Sequence, residues 1–226
     1  MDWVKINTGW VDAEAINTTE IVGSKSQKKY NIIYADPPWM ENKRSNQNTK
    51  FGRASQGYYN LMTTDEICKL PIKDITAPNC ALFMWVTFPH LLEAEKVMKA
   101  WGFKYKTIAF NWFKVNKNNQ KPCFGIGYYT KSNTEICLLG IKGKMKPISN
   151  YVSSVVIAEE EDSDIIDTAT VVSVRQEHSK KPAIVRDKIV ELFGDLPRVE
   201  LFARQTYDGW DSFGDQIGDE TISLGG

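Results

Sequence analysis

The stretch Asn31-Ile32-Ile33-Tyr34-Ala35-Asp36-Pro37-Pro38-Trp39 decides how this chain of 226 residues is read. Residues 31–35 form an apolar, strand-like run, and they lead into an acid and two prolines with almost no connecting loop. Proline fixes φ and carries no N–H, so the strand ends in a rigid, concave polar tip. A turn with Trp39 packed in a core would be the plainer reading of these four residues alone.

Working outward, strand-like and helix-like segments alternate. A polar stretch at 40–58 is followed by a short helix from Thr64 to about Leu70, with Thr as its cap. Residues 80–86 read as a buried strand, 89–101 as a helix ended by Gly102, 104–115 and 134–141 as strands. The acidic run 158–167 has no periodic face and reads as a solvated insertion. Residues 171–174 return to strand, 182–193 read as a helix, and 198–202 as the last strong strand. Alternating strands and helices predict an α/β three-layer sheet in one domain spanning 1–226. Ligands of open α/β sheets sit at the carboxyl ends of strands, and both Asp36 and Arg204 follow such ends.

Composition sets the outer bounds. With 42% hydrophobic residues and a formal net charge of zero, the chain is globular and has no global basic field. A polyanion would have to bind locally, and the clusters Lys43-Arg44, 50–53 and 142–146 are the candidates for a nearby phosphate backbone. The four cysteines have no paired spacing and there are two histidines, so no metal site is expected and the thiols read as free in a reducing cytoplasm. Neither a signal peptide nor a long apolar span is evident, so the expectation is a soluble protein with no membrane partner.

The tip at residues 36–39 suits methylation of an amino group conjugated into a ring. Asp36 can accept one N–H of such an amine and the carbonyl of Pro37 or Pro38 the other, which localises the nitrogen lone pair. Trp39 offers a flat face for a base that has left its strand or for the sulfonium of a methyl donor. No strong base is required, because the proton leaves after the methyl arrives.

Further motifs stand in register after the tip: Gly125-Ile126-Gly127-Tyr128-Tyr129 through Thr134-Glu135, Glu177-His178-Ser179-Lys180-Lys181-Pro182, Glu200-Leu201-Phe202-Ala203-Arg204, and Gly209-Trp210-Asp211-Ser212-Phe213-Gly214. Together they resemble the catalytic-subunit family of eukaryotic mRNA adenosine methyltransferases and its bacterial and phage DNA adenine methyltransferase relatives. The resemblance covers about 31–217. It implies a Rossmann-like methyltransferase sheet that uses S-adenosylmethionine, with the acceptor motif placed before the cofactor motif. It also implies roles. Asp36 would touch the acceptor amine or the donor's amino group, and Lys181 would approach the donor's carboxylate. Arg204 and Tyr207 would reach its ribose, and Thr206, Asp215 and Gln216 would line the nucleoside end. Tyr59 would line the acceptor pocket, with Arg175, His178, Lys43 and Arg44 toward the nucleic acid. Segments 40–58 and 175–181 would be gates.

Three features depart from that family. Asp215 stands where Asn is usual, no clear acidic cofactor contact precedes the tip (Asp12 and Asn17 are the candidates), and the run at 158–167 is unusual. The resemblance leans to the bacterial and phage branch, hence to DNA in a bacterial or phage-infected cytoplasm, with a homodimer allowed. RNA as acceptor, a non-catalytic nucleic-acid-binding subunit, and methylation of a free nucleotide or protein amine are the alternatives. The subunit reading loses ground because the tetrapeptide, Lys181 and Arg204 are all intact.

Overall fold

The computed structural model describes residues 3–6, 9–12, 28–40, 61–115, 121–122, 129–158, 181–218, 221–222 and 224. In chain order the elements are β1 (Trp3–Ile6), β2 (Gly9–Asp12), β3 (Tyr30–Ala35), α1 (Thr64–Lys69), α2 (Ile72–Ile75), β4 (Thr76–Val86), α3 (Leu91–Ala100), β5 (Lys104–Lys114), β6 (Thr134–Lys142), β7 (Val155–Ala158), α4 (Ile184–Phe193), β8 (Arg198–Leu201) and β9 (Asp211–Phe213). β1 and β2 pair with each other as a hairpin. The other seven strands form one sheet in the order β7-β5-β6-β4-β3-β8-β9.

β3 lies inside this sheet, parallel to both β4 and β8. Successive side chains of a strand point to opposite faces, and β3 uses both. Ile33 and Ala35 join a core with α1, α2 and α3, while Ile32 and Tyr34 join a second core with α4. That explains why the run is apolar without alternation, and it produces the expected three layers. Among the described strands of this sheet, β6 runs against its neighbours, antiparallel to β4 and β5.

The connections follow local chemistry. Thr63 caps α1 in a reciprocal box: its hydroxyl accepts from Glu66 N at 3.3 Å, and the Glu66 carboxylate accepts from Thr63 N at 2.7 Å. α3 stops at Gly102, whose φ of 86° is open to a residue without Cβ. Trp101 Nε1 donates to Ile67 O at 2.9 Å and ties α3 to α1.

The expected strands and helices from 31 to 202 are present wherever the residues are described. The strand at 171–174 lies outside the described residues. The sequence places the start of the insertion at Ala158, but Ala158 closes β7, which pairs parallel with β5; the apolar run 155–157 wins that residue for the sheet. β1, β2, α2, β7 and β9 are not legible in the sequence, because three or four residues are too few to show a period.

Candidate active site

Chain direction places the site. From β3 the chain moves to β4 on one side, whereas β8 lies on the other and leads outward to β9, so the order reverses between β3 and β8. Ala35 is the register partner of Leu201 across that line. Asp36 and Arg204 therefore leave neighbouring strand ends at a switch point, where open sheets hold ligands.

The tetrapeptide is fixed by its backbone. Pro37 O accepts from Trp39 N at 2.9 Å, a turn about Pro38, and Pro38 O accepts from Met62 N at 2.8 Å. Met40 N donates to Met62 O at 2.9 Å, so both sides of Trp39 are pinned to the segment before α1. A carbonyl oxygen has two lone pairs, and each proline carbonyl still has acceptor capacity. Trp39 Nε1 donates to Trp85 O at 3.2 Å, and the ring stacks on His90 with centroids 5.5 Å apart and planes 18° from parallel.

Asp36 continues the parity of Ile32 and Tyr34, so its carboxylate faces the α4 side. There Lys181, just ahead of α4, donates to Asp36 Oδ2 at 2.8 Å. The same ammonium lies 3.1 Å from Glu135 Oε2 and 5.6 Å from the Trp85 ring centroid. Glu135 also pairs with Lys114, at the far end of β5. Two cations and two carboxylates thus alternate across the ends of β3, β5, β6 and the start of α4. Lys181 is only 8% exposed. Burial pulls its ammonium down, but Asp36 and Glu135 outweigh burial and hold it above the ordinary lysine value. Burial pushes Glu135 up, yet Lys181 and Lys114 win and the carboxyl is lowered to about 2. Cys137, the next-but-one residue on β6, is pushed well above the usual thiol value by burial and then by Asp36. It is an inert core thiol.

A second ionic pin holds α4 to β8. Arg186 meets Glu200 through two bonds, Nε to Oε2 at 2.7 Å and Nη2 to Oε1 at 2.6 Å. Its guanidinium also lies 3.4 Å from the Tyr207 ring centroid. Tyr207 is therefore placed by packing on α4, and that ring face is used inside the protein. Beyond β8, Ala203 N donates to Phe213 O at 2.9 Å, joining it to the end of β9. Gly214 lies against this turn so closely that a Cβ would collide with the Ala203 carbonyl oxygen. Arg204 is half-buried, and Thr206, Asp215 and Gln216 are exposed along the same edge.

Of the sequence-derived candidates, Asp36 and Lys181 are in direct contact, and Pro37, Pro38 and Trp39 share one turn with Asp36. Arg204, Thr206, Tyr207, Asp215 and Gln216 follow the neighbouring strands β8 and β9. Lys43, Arg44, Tyr59, Arg175 and His178 lie outside the described residues, as does nearly all of both gates and the cluster at 50–53. One expectation is corrected. Lys142 closes β6 and Lys144 and Lys146 follow it, and Lys142 pairs in register with Cys80 in the first half of β4. Lys142 is seven residue steps along β6 from Glu135, roughly 20 Å at the usual rise, so this cluster sits at the opposite end of the strand from the one beside Asp36. Sequence reasoning places Glu135 in a motif without giving it a role, and it misses Lys114 and His90. A charged residue opening the apolar strand Thr134–Lys142 is the signal for Glu135; for His90 there is none.

The family model described as MT-A70 matches residues 30–216. The chain belongs to the MT-A70 family. Its fold is accordingly the α/β Rossmann-like methyltransferase fold, and the reading of the chain as an adenine-N6 methyltransferase is borne out with it. Among relatives, the Mycoplasma protein named Type II methyltransferase M.MunI is 34% identical over 218 residues, covering 91% of this chain and 85% of that one. A Medicago truncatula protein named putative N(6)-adenosine-methyltransferase MT-A70-like is 27% identical, covering 92% of this chain and 29% of its own length. The human N(6)-adenine-specific methyltransferase METTL4 is 29% identical, with 84% and 38% covered. This MT-A70 chain thus spans most of the first relative and well under half of the other two. No helix among the described residues is long and apolar enough to cross a membrane.

Proposed function

We propose that this MT-A70 chain transfers a methyl group from S-adenosylmethionine to the exocyclic N6 amine of adenine in DNA, in the cytoplasm and as a monomer or homodimer. The observation that carries this reading is the fixed carboxylate of Asp36, held at the end of β3 by Lys181 at 2.8 Å and followed at once by two proline carbonyls in a pinned turn. The choice of DNA is supported by likeness: the chain is 34% identical to the type II methyltransferase it matches, and its motifs resemble the bacterial and phage branch.

The residues present fit the donor's functional groups. Asp36 offers a carboxylate to an ammonium or amine. Arg204, Thr206 and Gln216 offer donors and acceptors to hydroxyls at the ends of β8 and β9, and the tight Ala203–Gly214 approach shapes that edge from backbone. When bound, S-adenosylmethionine supplies an electrophilic methyl group. The chain's part is alignment. Asp36 accepts one N6–H and a carbonyl of Pro37 or Pro38 the other, turning the nitrogen lone pair out of conjugation with the ring. Lys181 holds the Asp36 carboxylate in place and is itself held by Glu135, so little reorganisation is needed as positive charge develops on N6. The proton of the methylated amine is then shed through Asp36 or directly to water. Trp39 stacks on the base with the face that His90 does not occupy.

The test is to incubate the chain with labelled S-adenosylmethionine and single-stranded DNA, duplex DNA or RNA, then identify the modified nucleoside by mass spectrometry. N6-methyldeoxyadenosine is expected. Label in RNA alone would move the acceptor to RNA, and no label in any acceptor would overturn the reading.

A further inference from the structure

We infer that His90 is the positioning residue that fixes the plane of Trp39 and so builds the wall on which the acceptor base stacks; this rests on the function proposed above. His90 is 4% exposed and sits in the 3₁₀ turn Phe88–His90 between β4 and α3. Both ring nitrogens are engaged. Nε2 lies 3.3 Å from Met40 O, and Nδ1 lies 2.8 Å from Thr87 Oγ1. A carbonyl oxygen only accepts, so Nε2 carries the proton, and in the neutral ring Nδ1 accepts from the Thr87 hydroxyl. The tautomer is thereby set by the fold, and the ring is anchored to the end of β4 on one side and to the residue after the tetrapeptide on the other.

This anchored ring lies nearly parallel to Trp39, at 5.5 Å and 18°. Trp39 is held edge-on by the bond from its Nε1 to Trp85 O. That bond fixes one edge of the indole, which also packs against the core shared with α1, α2 and α3, and the stack with His90 sets the plane of the ring and covers one of its faces. One indole face is thus consumed inside the protein, which directs an incoming base to the other face. A histidine whose role were only to close the β4–α3 turn would need the Thr87 bond and neither of the other two contacts.

The test compares His90→Ala and His90→Phe with the wild type, using long mixed-sequence duplex DNA free of N6-methyladenine and measuring KM for DNA and for S-adenosylmethionine separately. Stacking on an aromatic side chain contributes about 1–3 kcal/mol per base, so His90→Ala is expected to raise KM for DNA about tenfold and leave KM for the donor unchanged. His90→Phe keeps a flat partner for Trp39 without the ring nitrogens, and should return KM for DNA to within about threefold of wild type. Unchanged KM for DNA in His90→Ala, an equal rise in both KM values, or a His90→Phe enzyme as weak as His90→Ala would each overturn the inference. The wild type separates the two claims: if it transfers no methyl group the function reading fails, whereas transfer with unaltered variants sinks only the role of His90.

Discussion

Lys181 Nζ lies 2.8 Å from Asp36 Oδ2, so a residue ahead of α4 holds the carboxylate that ends β3, across 145 positions of sequence. The contact is nearly dry on the lysine side, and the second carboxylate, Glu135, shares the same ammonium. Acceptor tip and helix start are therefore one electrostatic unit.

Removing the cation leaves two carboxylates facing each other without it. Breaking a buried pair from one side costs about 3–5 kcal/mol, and the partial exposure of Asp36 places Lys181→Met at the low end of that range. Urea unfolding of the variant is expected to show a loss of about 3 kcal/mol together with a large fall in methyl transfer. A variant as stable as wild type would mean that the pair is not made in solution.

The Glu135 carboxyl is lowered to about 2 from an ordinary value of 4.5. Its contribution is present above pH 4.5 and is lost as pH falls from there toward 2, on the order of 3 kcal/mol in all. Lys181 is raised, so its contribution is full below pH 10.5 and is lost only as pH climbs above that. Stability from this network should be flat through neutrality and fall in acid. Glu135→Gln should flatten the acid limb of a melting-temperature profile; an unchanged limb would remove Glu135 from the network.

Much of the fold and part of the site are legible in the chain itself. The apolar run of β3, the Thr-x-x-Glu cap of α1 and the period of α3 are local patterns, and local patterns survive in sequence. Asp36 and Lys181 can also be named, by motif. What stays hidden is pairwise and distant: Lys114 with Glu135, Arg186 with Glu200, His90 on Trp39. These depend on strand order, and no spacing along the chain encodes the neighbour across a sheet. The lysines at 142–146 show the opposite failure. Their charge is plain, but only the antiparallel direction of β6 puts them at the far end of the strand.

That placement carries its own expectation. Lys144→Gln with Lys146→Gln should leave methylation of short oligonucleotides within about twofold of wild type, because both follow the end of β6 that lies roughly 20 Å along the strand from Glu135. A loss of tenfold or more in steady-state assays would bring them back to the site.

Gly214 tests the edge formed by β8 and β9. A methyl group there meets the Ala203 carbonyl oxygen, so Gly214→Ala must part the two strand ends. Calorimetric titration with S-adenosylhomocysteine should show affinity lowered about tenfold or more. Wild-type affinity would place the donor's nucleoside elsewhere.

The role of Asp36 is decided most directly by single-turnover methyl transfer to adenine-containing DNA with donor and DNA saturating, comparing wild type with an Asp36→Ala variant whose circular dichroism shows it folded. One positioned acceptor contributes about 3–4 kcal/mol to a transition state, so the rate should fall by about two to three orders of magnitude. A folded Asp36→Ala enzyme transferring methyl groups at nearly the wild-type rate would contradict the assignment of Asp36 as the acceptor of the N6 amine.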